Sequence, residues 1–356
     1  MAITRIGNQA LANVREPNFR NIVINGDMSI AQRATSVSST GDGYKTCDRW
    51  RYERGVGVID LSQSTTVPTG QGFAKSFKVD VTTSASPSAG DVMTIEQRIE
   101  GQNLQYLKKG TSSAESTTLS FWVRSTKTGT YICELQDVDN SRSISKSYTI
   151  SSADTWEKKT IIFAGDTTGA LDNDNARSLD AIWYLSAGSN YTSGTLQTSW
   201  GSKVDANRAV GQVNFADSTS NDFYLTGVQL EAGQTASKFE FLPHDVNKRR
   251  CLRYYTQVTQ NHYFAGARAN GTDSLIGGRF YTSVPLRAGP TIDAGTYLYY
   301  YGDAGNGGLT GSTTAVEYQR DDTGLSFRLN SALSGVVDNE PVIVAANSTI
   351  GYDAEL

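Results

Sequence analysis

Cysteine, histidine and long apolar runs are all scarce in this 356-residue chain. Cys47, Cys133 and Cys251 are odd in number and widely spaced, which argues against a disulfide framework and against a paired zinc site. Three buried thiols in a reducing cytoplasm is the reading that remains. His244 and His262 are the only histidines, and neither lies in a nucleophile-elbow context, so a catalytic triad has little to draw on. The longest apolar windows, TIIFAG at 160–165 and PVIVAA at 341–346, fall far short of the roughly 20 residues a membrane helix needs. At the start, Arg5, Asn8 and Gln9 interrupt what a secretory peptide would keep apolar. The net charge is −4 and no basic stripe is visible, so the footprint of a phosphate-tracking protein is missing. Neither nucleic acid nor membrane insertion is expected.

What the chain does have is 34 glycines, 18 tyrosines and abundant Ser and Thr, with only seven prolines. That composition favours many short strands joined by turns, and the expected class is all-β. Residues 1–17 read as an arm: Ile3, Ile6, Leu11 and Val14 are sparse, and Pro17 ends it. From RNIVINGDM at 20–28 onward, strand-like runs follow at sandwich-like spacing. TTLSFWVRS (117–125) and TYICELQD (130–137), with KTG between them, read as a hairpin. In NDFYLTGVQLEAGQTASKFE (221–240), Phe223, Leu225 and Gly227 alternate with Tyr224, Thr226 and Val228, and Leu230 stays with the Tyr224 set. HDVNKRRCLRYYTQV near 244–258 offers a helical turn or two, and a smaller β unit follows it, with its final strand reaching Leu356. The expected layout is an arm at 1–17, a β-sandwich at 18–245, and a short helical linker with a C-terminal β domain at 246–356. No fixed-period repeat points to a parallel β-helix.

NIVINGDMSIAQR (21–33), CDRW (47–50), DTWEKK (154–159), DFYLTGVQLEAGQTASKFEF (222–241) and CLRYY (251–255) together resemble the jelly-roll, carbohydrate-binding-module-like domain of tail-fibre and other virion proteins of tailed bacteriophages. The resemblance covers about residues 20–256. It treats the stretches around Asn25-Gly26-Asp27, Asp48-Arg49-Trp50 and Gly227-Val228-Gln229-Leu230-Glu231 as strands. It implies a virion structural protein of tail-fibre or spike type, usually trimeric, assembled in the host cytoplasm and attached to other virion proteins through the arm residues Ile3, Arg5, Ile6 and Leu11. A host-surface glycan is the implied ligand. A head fibre or capsid decoration protein would share the fold, and a glycan-degrading enzyme is the alternative from another class. No cofactor is implied apart from calcium, which related modules hold between the first strand and an Asp on the last. Here Asn25 and Asp27 are the candidate ligands, and Thr226 stands at the last-strand position.

The residues offer little for catalysis. Glu96 and Glu100 are the most tempting carboxylate pair, but four residues along one strand is ~13 Å, beyond the 5–9.5 Å that glycoside hydrolysis needs. Solvent or cross-strand pairing suits them better, and the chain reads as a non-enzyme. LDNDNARSLD at 171–180 lacks the Gly and Glu of an EF-hand loop. KRRCLR at 248–253 reads as an ion-pair face rather than a site for an acidic partner. Trp50, Trp122, Trp156 and Trp183 sit in strand patterns and belong to the core or its edge. Tyr191 and Trp200 lie in polar loops, where an aromatic ring can stack on a sugar. Tyr299, Tyr300 and Tyr301 are consecutive, so in a strand they cannot all enter one core, and they too are candidate glycan contacts.

Overall fold

The structure, a computed structural model, describes residues 19–258, 267–269, 274–292, 297–300, 315–321, 324–330, 341–346 and 350–356. The arm, with Ile3, Arg5, Ile6 and Leu11, lies outside them, as does Tyr301. The chain forms two compact units. The first takes in residues up to Ser29, Ser36–Lys45 and Trp50–Leu242, and the second Ile30–Thr35, Thr46–Arg49 and Pro243–Leu356. Two short segments from the region expected to be all sandwich therefore belong with the second unit.

In the first unit the strands are β1 (Ser36–Val37), β2 (Gly43–Tyr44), β3 (Arg51–Arg54), β4 (Val58–Ser64), β5 (Ser76–Thr83), β6 (Val92–Glu100), β7 (Thr117–Ser125), β8 (Gly129–Asp137), β9 (Arg142–Ile150), β10 (Glu157–Phe163), β11 (Arg177–Ala187), β12 (Gly201–Ser202) and β13 (Asp222–Ala232). They make a six-stranded sheet, β1-β4-β5-β13-β7-β10, and a seven-stranded one, β12-β9-β8-β11-β6-β3-β2. The fold is all-β, a jelly-roll-like sandwich. Its core follows from strand alternation: Leu119, Phe121 and Val123 of one sheet meet Tyr131, Cys133, Leu135 and Trp183 of the other, all buried. Phe121 packs edge-on against Trp183 at 5.7 Å and against Tyr148 at 5.1 Å. Burying each such ring contributes on the order of 2–3 kcal/mol.

β7 and β8 are not a hairpin. They lie in different sheets, and residues 126–128 carry the chain from one layer to the other. Alternation reports only which side of each strand is apolar, and strands facing each other across a core share that pattern with hairpin partners. β13 also departs from simple alternation. Its register against β7 slips between Thr226 and Gln229, and Gly227 there has φ +61°. The bulge turns Val228 and Leu230 to the same side as Phe223 and Leu225, and all four are buried.

Residues 20–28 form no strand. Asn25 and Met28 adopt left-handed backbone, and the segment runs beside β13 through single bonds. Ile22 N donates to Leu230 O at 2.8 Å, Val228 N to Gly26 O at 2.9 Å, and Leu230 N to the Asn21 side chain at 3.1 Å. The Gln97 amide substitutes for a strand partner, bonding both Ile24 N and Ile24 O. Position 26 must be glycine, because a Cβ would sit 2.0 Å from Val228 O. CDRW is likewise not a strand: Arg49 has φ +71° and β3 begins only at Arg51.

Among the described residues the first unit carries the short α-helix α1 (Ser189–Thr192) beside several single 3-10 turns, and the second carries α2 (His244–Leu252). The second unit's strands are β14 (Tyr255–Val258), β15 (Ala267–Ala269), β16 (Ser274–Tyr281), β17 (Thr291–Ile292), β18 (Tyr297–Tyr300), β19 (Ala315–Asp321), β20 (Gly324–Asn330), β21 (Pro341–Ala346) and β22 (Ile350–Asp353). They pair as β14-β22-β17 and β18-β21-β15-β16-β20-β19. The last strand stops at Asp353 and side chains hold the tail beyond it. Arg33 reaches Asp353 at 2.9 Å and Glu355 at 3.4 Å, and Arg49 pairs with Glu355 while its guanidinium lies 3.5 Å over the Tyr254 ring. Arg287 donates to Ala354 O at 2.7 Å.

Candidate functional site

The seven-stranded sheet turns one face to the core and the other outward. On the outward face, register sets Arg51 beside Glu96, Glu96 beside Ile182 and Ile182 beside Glu134. The next row sets Glu53 beside Thr94 and Thr94 beside Tyr184. Paired residues of antiparallel strands share a face, so two partly polar rows cross the sheet side by side. Residues 188–213 fold back over them. Ala209 N donates to Tyr191 O and Gly194 N to Ala206 O, both at 2.9 Å, which closes this stretch on itself. Tyr191 and Leu196 then pack on a buried cluster of Ile132, Ile182, Tyr184 and Ala209. Between stretch and sheet lies a pocket of about 70 Å³, lined by Glu53, Val92, Thr94, Glu96, Ile182, Tyr184, Tyr191 and Arg208.

Charge in this pocket is arranged in pairs. Arg208 Nε is 3.0 Å from both Glu134 oxygens, and its other nitrogens reach Gln136 at 2.8 Å and Asp205 at 3.4 Å. The Tyr184 hydroxyl donates to Glu134 Oε2 at 2.7 Å. Burial pushes the Glu134 carboxyl above its ordinary range, and the Arg208 charge and these hydrogen bonds pull it back only in part. Burial works against the Arg208 cation too, yet the facing Glu134 more than offsets it and holds the guanidinium protonated. On the opposite wall Arg51 Nη1 sits 2.6 Å from Glu96 and 2.9 Å from Glu53, and Arg98 Nη2 lies 3.0 Å from Glu96. Glu53 is half exposed while Glu96 is nearly covered. The pocket therefore offers carboxylate oxygens, a threonine and a tyrosine hydroxyl and an aromatic ring. That set can hold a small hydroxyl-bearing group.

Of the sequence-derived candidates, Tyr191 is brought to this pocket, with the Arg208 guanidinium 5.8 Å from its ring centre. Trp200 is not among its lining residues: its indole N–H donates to Ala164 O at 2.7 Å, and the Lys109 ammonium lies 4.9 Å from its ring. Tyr299 and Tyr300 belong to β18 of the second unit, in register with Val344 and Ile343. Glu96 and Glu100 are both buried and face different partners, Glu96 held by Arg51 and Glu100 bonded by Gln102. Asp27 Oδ1 accepts the Ser29 hydroxyl at 3.0 Å, Asn25 O accepts the Trp50 indole at 3.0 Å, and the Thr226 hydroxyl donates to Lys75 O at 2.7 Å. These engaged oxygens, with one carboxylate among them, are a poor match to the six to eight oxygens calcium takes. Among the described residues, no three His, Cys, Asp or Glu side chains gather in a metal-holding arrangement. In the second unit, Lys248 and Arg249 of KRRCLR are exposed, and Arg249, Arg250 and Arg253 border an open hollow with Val246, Val284 and Pro285.

Glu53, Thr94, Tyr184 and Arg208 were not singled out from the sequence. Part of the signal was there: in SLDAIWYLSAG, Ala181, Trp183 and Leu185 are a plain inward set, leaving Asp180, Ile182 and Tyr184 to face out. Nothing local marks Arg208, which meets Glu134 across 74 residues of chain.

No protein-family model and no curated protein matches the chain. Solved structures do. One is the enzymatically active domain of tailspike protein 4 of bacteriophage CBA120, at 14% identity and TM-score 0.34, aligned over 60% of this chain and 21% of that one. The chain thus spans about a fifth of the length of that solved domain. A family 61 carbohydrate-binding module in complex with β-1,4-galactotriose aligns over 60% of this chain and 99% of its own, at 8% identity and TM-score 0.31. The CBM22-1 xylan-binding domain of Xyn10C from Paenibacillus barcinonensis covers 56% and 94%, at 10% identity and TM-score 0.26. The chain's structural neighbours are thus carbohydrate-binding modules together with a phage tailspike domain.

Proposed function

We propose that the first unit is a non-catalytic glycan-binding jelly roll, in a trimeric virion protein of tail-fibre or spike type from a tailed bacteriophage. The pocket on the outward face of the seven-stranded sheet carries the binding half of this reading. It joins a partly exposed tyrosine ring to carboxylate and hydroxyl groups in a space sized for the edge of a sugar, the usual chemistry of sugar recognition. The virion half rests on the sequence resemblance, with the arm as the attachment segment. Catalysis is not part of the proposal. Glu134, a buried carboxylate beside the pocket whose pKa burial raises, has both oxygens committed to Arg208 and Tyr184, which leaves it poorly placed to hand a proton to a leaving group.

The test is oligosaccharide binding by the full chain and by Tyr191→Ala. Losing one stacked ring should weaken binding about tenfold, or ~1.4 kcal/mol, with a cooperative unfolding transition kept at a lower melting temperature because the ring also packs on the Ile182 and Tyr184 cluster, and with no reducing sugar released by either protein. Undiminished binding by Tyr191→Ala would move the site elsewhere, and release of reducing ends would make the protein an enzyme.

A further inference from the structure

The wall chemistry of the pocket also discriminates among sugars, an inference that rests on the glycan-binding reading. Three lining residues carry charge: Glu53, Glu96 and Arg208. Arg208 is the one cation, and its nitrogens already serve Glu134, Gln136 and Asp205. The guanidinium of Arg51, behind the opposite wall, is shared between Glu53 and Glu96, and Arg98 also leans on Glu96. An entering carboxylate or sulfate would find every cation already engaged, and at the mouth it would meet Glu53, whose partner Arg51 is shared with Glu96 while Glu96 is itself covered and held by Arg51 and Arg98. A neutral sugar meets the reverse. A carboxylate is acceptor-only, whereas a sugar hydroxyl both donates and accepts, so hydroxyls can donate to Glu53 and Glu96 and accept from the Thr94 or Tyr191 hydroxyl. The space admits the edge of one ring and not a chain threaded through it. The discriminating position is therefore a pair of neighbouring hydroxyls, or the C6 arm, of a single residue.

We propose that the pocket selects uncharged sugars, taking donor hydroxyls on the Glu53 and Glu96 carboxylates, and rejects uronic acids and other anionic sugars. Selectivity of this kind comes from the repulsive element as much as from the attractive one. It follows that a change at Glu53, the more exposed of the two carboxylates, should shift which glycans are accepted.

The experiment presents the full chain to an array of neutral glucose, xylose and galactose hexaoses, together with oligogalacturonides and the same oligomers as methyl esters. Every member retained by the wild type should be uncharged. Glu53→Lys should raise retention of the free oligogalacturonides relative to the esters by about tenfold or more, a ratio worth ~1.4 kcal/mol per decade. Because repulsion is screened by salt, residual wild-type binding of the free acids should rise, not fall, between 0.05 and 1 M NaCl (roughly a threefold to tenfold shorter screening length). This arm needs no variant to fold. Preferential wild-type retention of free acids, or acid binding that weakens with salt, overturns the selectivity and leaves glycan binding standing. Retention of nothing at all overturns glycan binding, and the selectivity with it.

Discussion

At Asp166 three contacts from two cations converge on a side chain only 3% exposed: Arg142 Nε at 2.7 Å, Arg142 Nη2 at 2.9 Å and Lys109 Nζ at 2.9 Å. Burial raises the carboxyl pKa, but the Arg142 and Lys109 contacts outweigh it and the net shift is downward from 3.8. A depressed aspartate contributes stability that is present above the unfolded value and lost as pH falls through the lower folded one. Asp166→Asn should therefore destabilise the first unit by about 3 kcal/mol at neutral pH, as expected for one partner removed from a buried ionic cluster. The gap between variant and wild type should narrow only below about pH 3.8. Urea denaturation across pH 2–7 reads both, and a gap that is constant with pH would show the carboxylate's charge to be irrelevant. None of this was legible in AGDTTG, which reads as a turn. Arg142 is 24 residues away and Lys109 is 57 residues away, so the arrangement is a product of tertiary folding.

Elements were more readable than contacts. The alternation that marks β7, β8 and β11 as strands is plain in the sequence because each buries one face against the same core. Partnership was not readable, as β7 and β8 show, since adjacency in sequence says nothing about which layer a strand joins. β13 lies between these cases. Leu230 falls in the outward set by counting, and only the bulge at Gly227 restores it to the core. That bulge depends on glycine twice over, through φ +61° and through a Cβ that would lie 2.5 Å from the Phe73 ring. Gly227→Ala should cost about 2–3 kcal/mol, with the m-value unchanged, and exchange of the Val228 and Leu230 amides should accelerate. A variant as stable as wild type would mean that the Phe73 ring can swing aside and that the strand tolerates the left-handed residue without strain. Segments 20–28 and 47–50 show the opposite failure. Both carry motif residues that suggest strands, yet their order comes from the side chains of Asn21, Gln97 and Trp50 and not from a ladder.

At the scale of the whole molecule, the all-β class was legible from composition. Pocket location was not, because it depends on which stretch folds back over which sheet. Trimer formation, part of the proposed function, is checked by light scattering of the purified chain: about three protomer masses are expected, and a clean monomer at micromolar concentration would remove that part of the reading. The allotment of residues 30–35 and 46–49 to the second unit bears on synthesis. Arg33 and Glu355, which meet there, are separated by 322 positions. At about 5–20 residues per second the ribosome takes roughly 15–65 s to travel between them. Neighbours such as β4 and β5 can pair as soon as they emerge, but Arg33 and Arg49 must wait for their acidic partners until Asp353 and Glu355 have been made. The second unit is thus closed by contacts between residues far apart in the chain, and the Arg33 and Arg49 pairs can form only after Glu355 has been made.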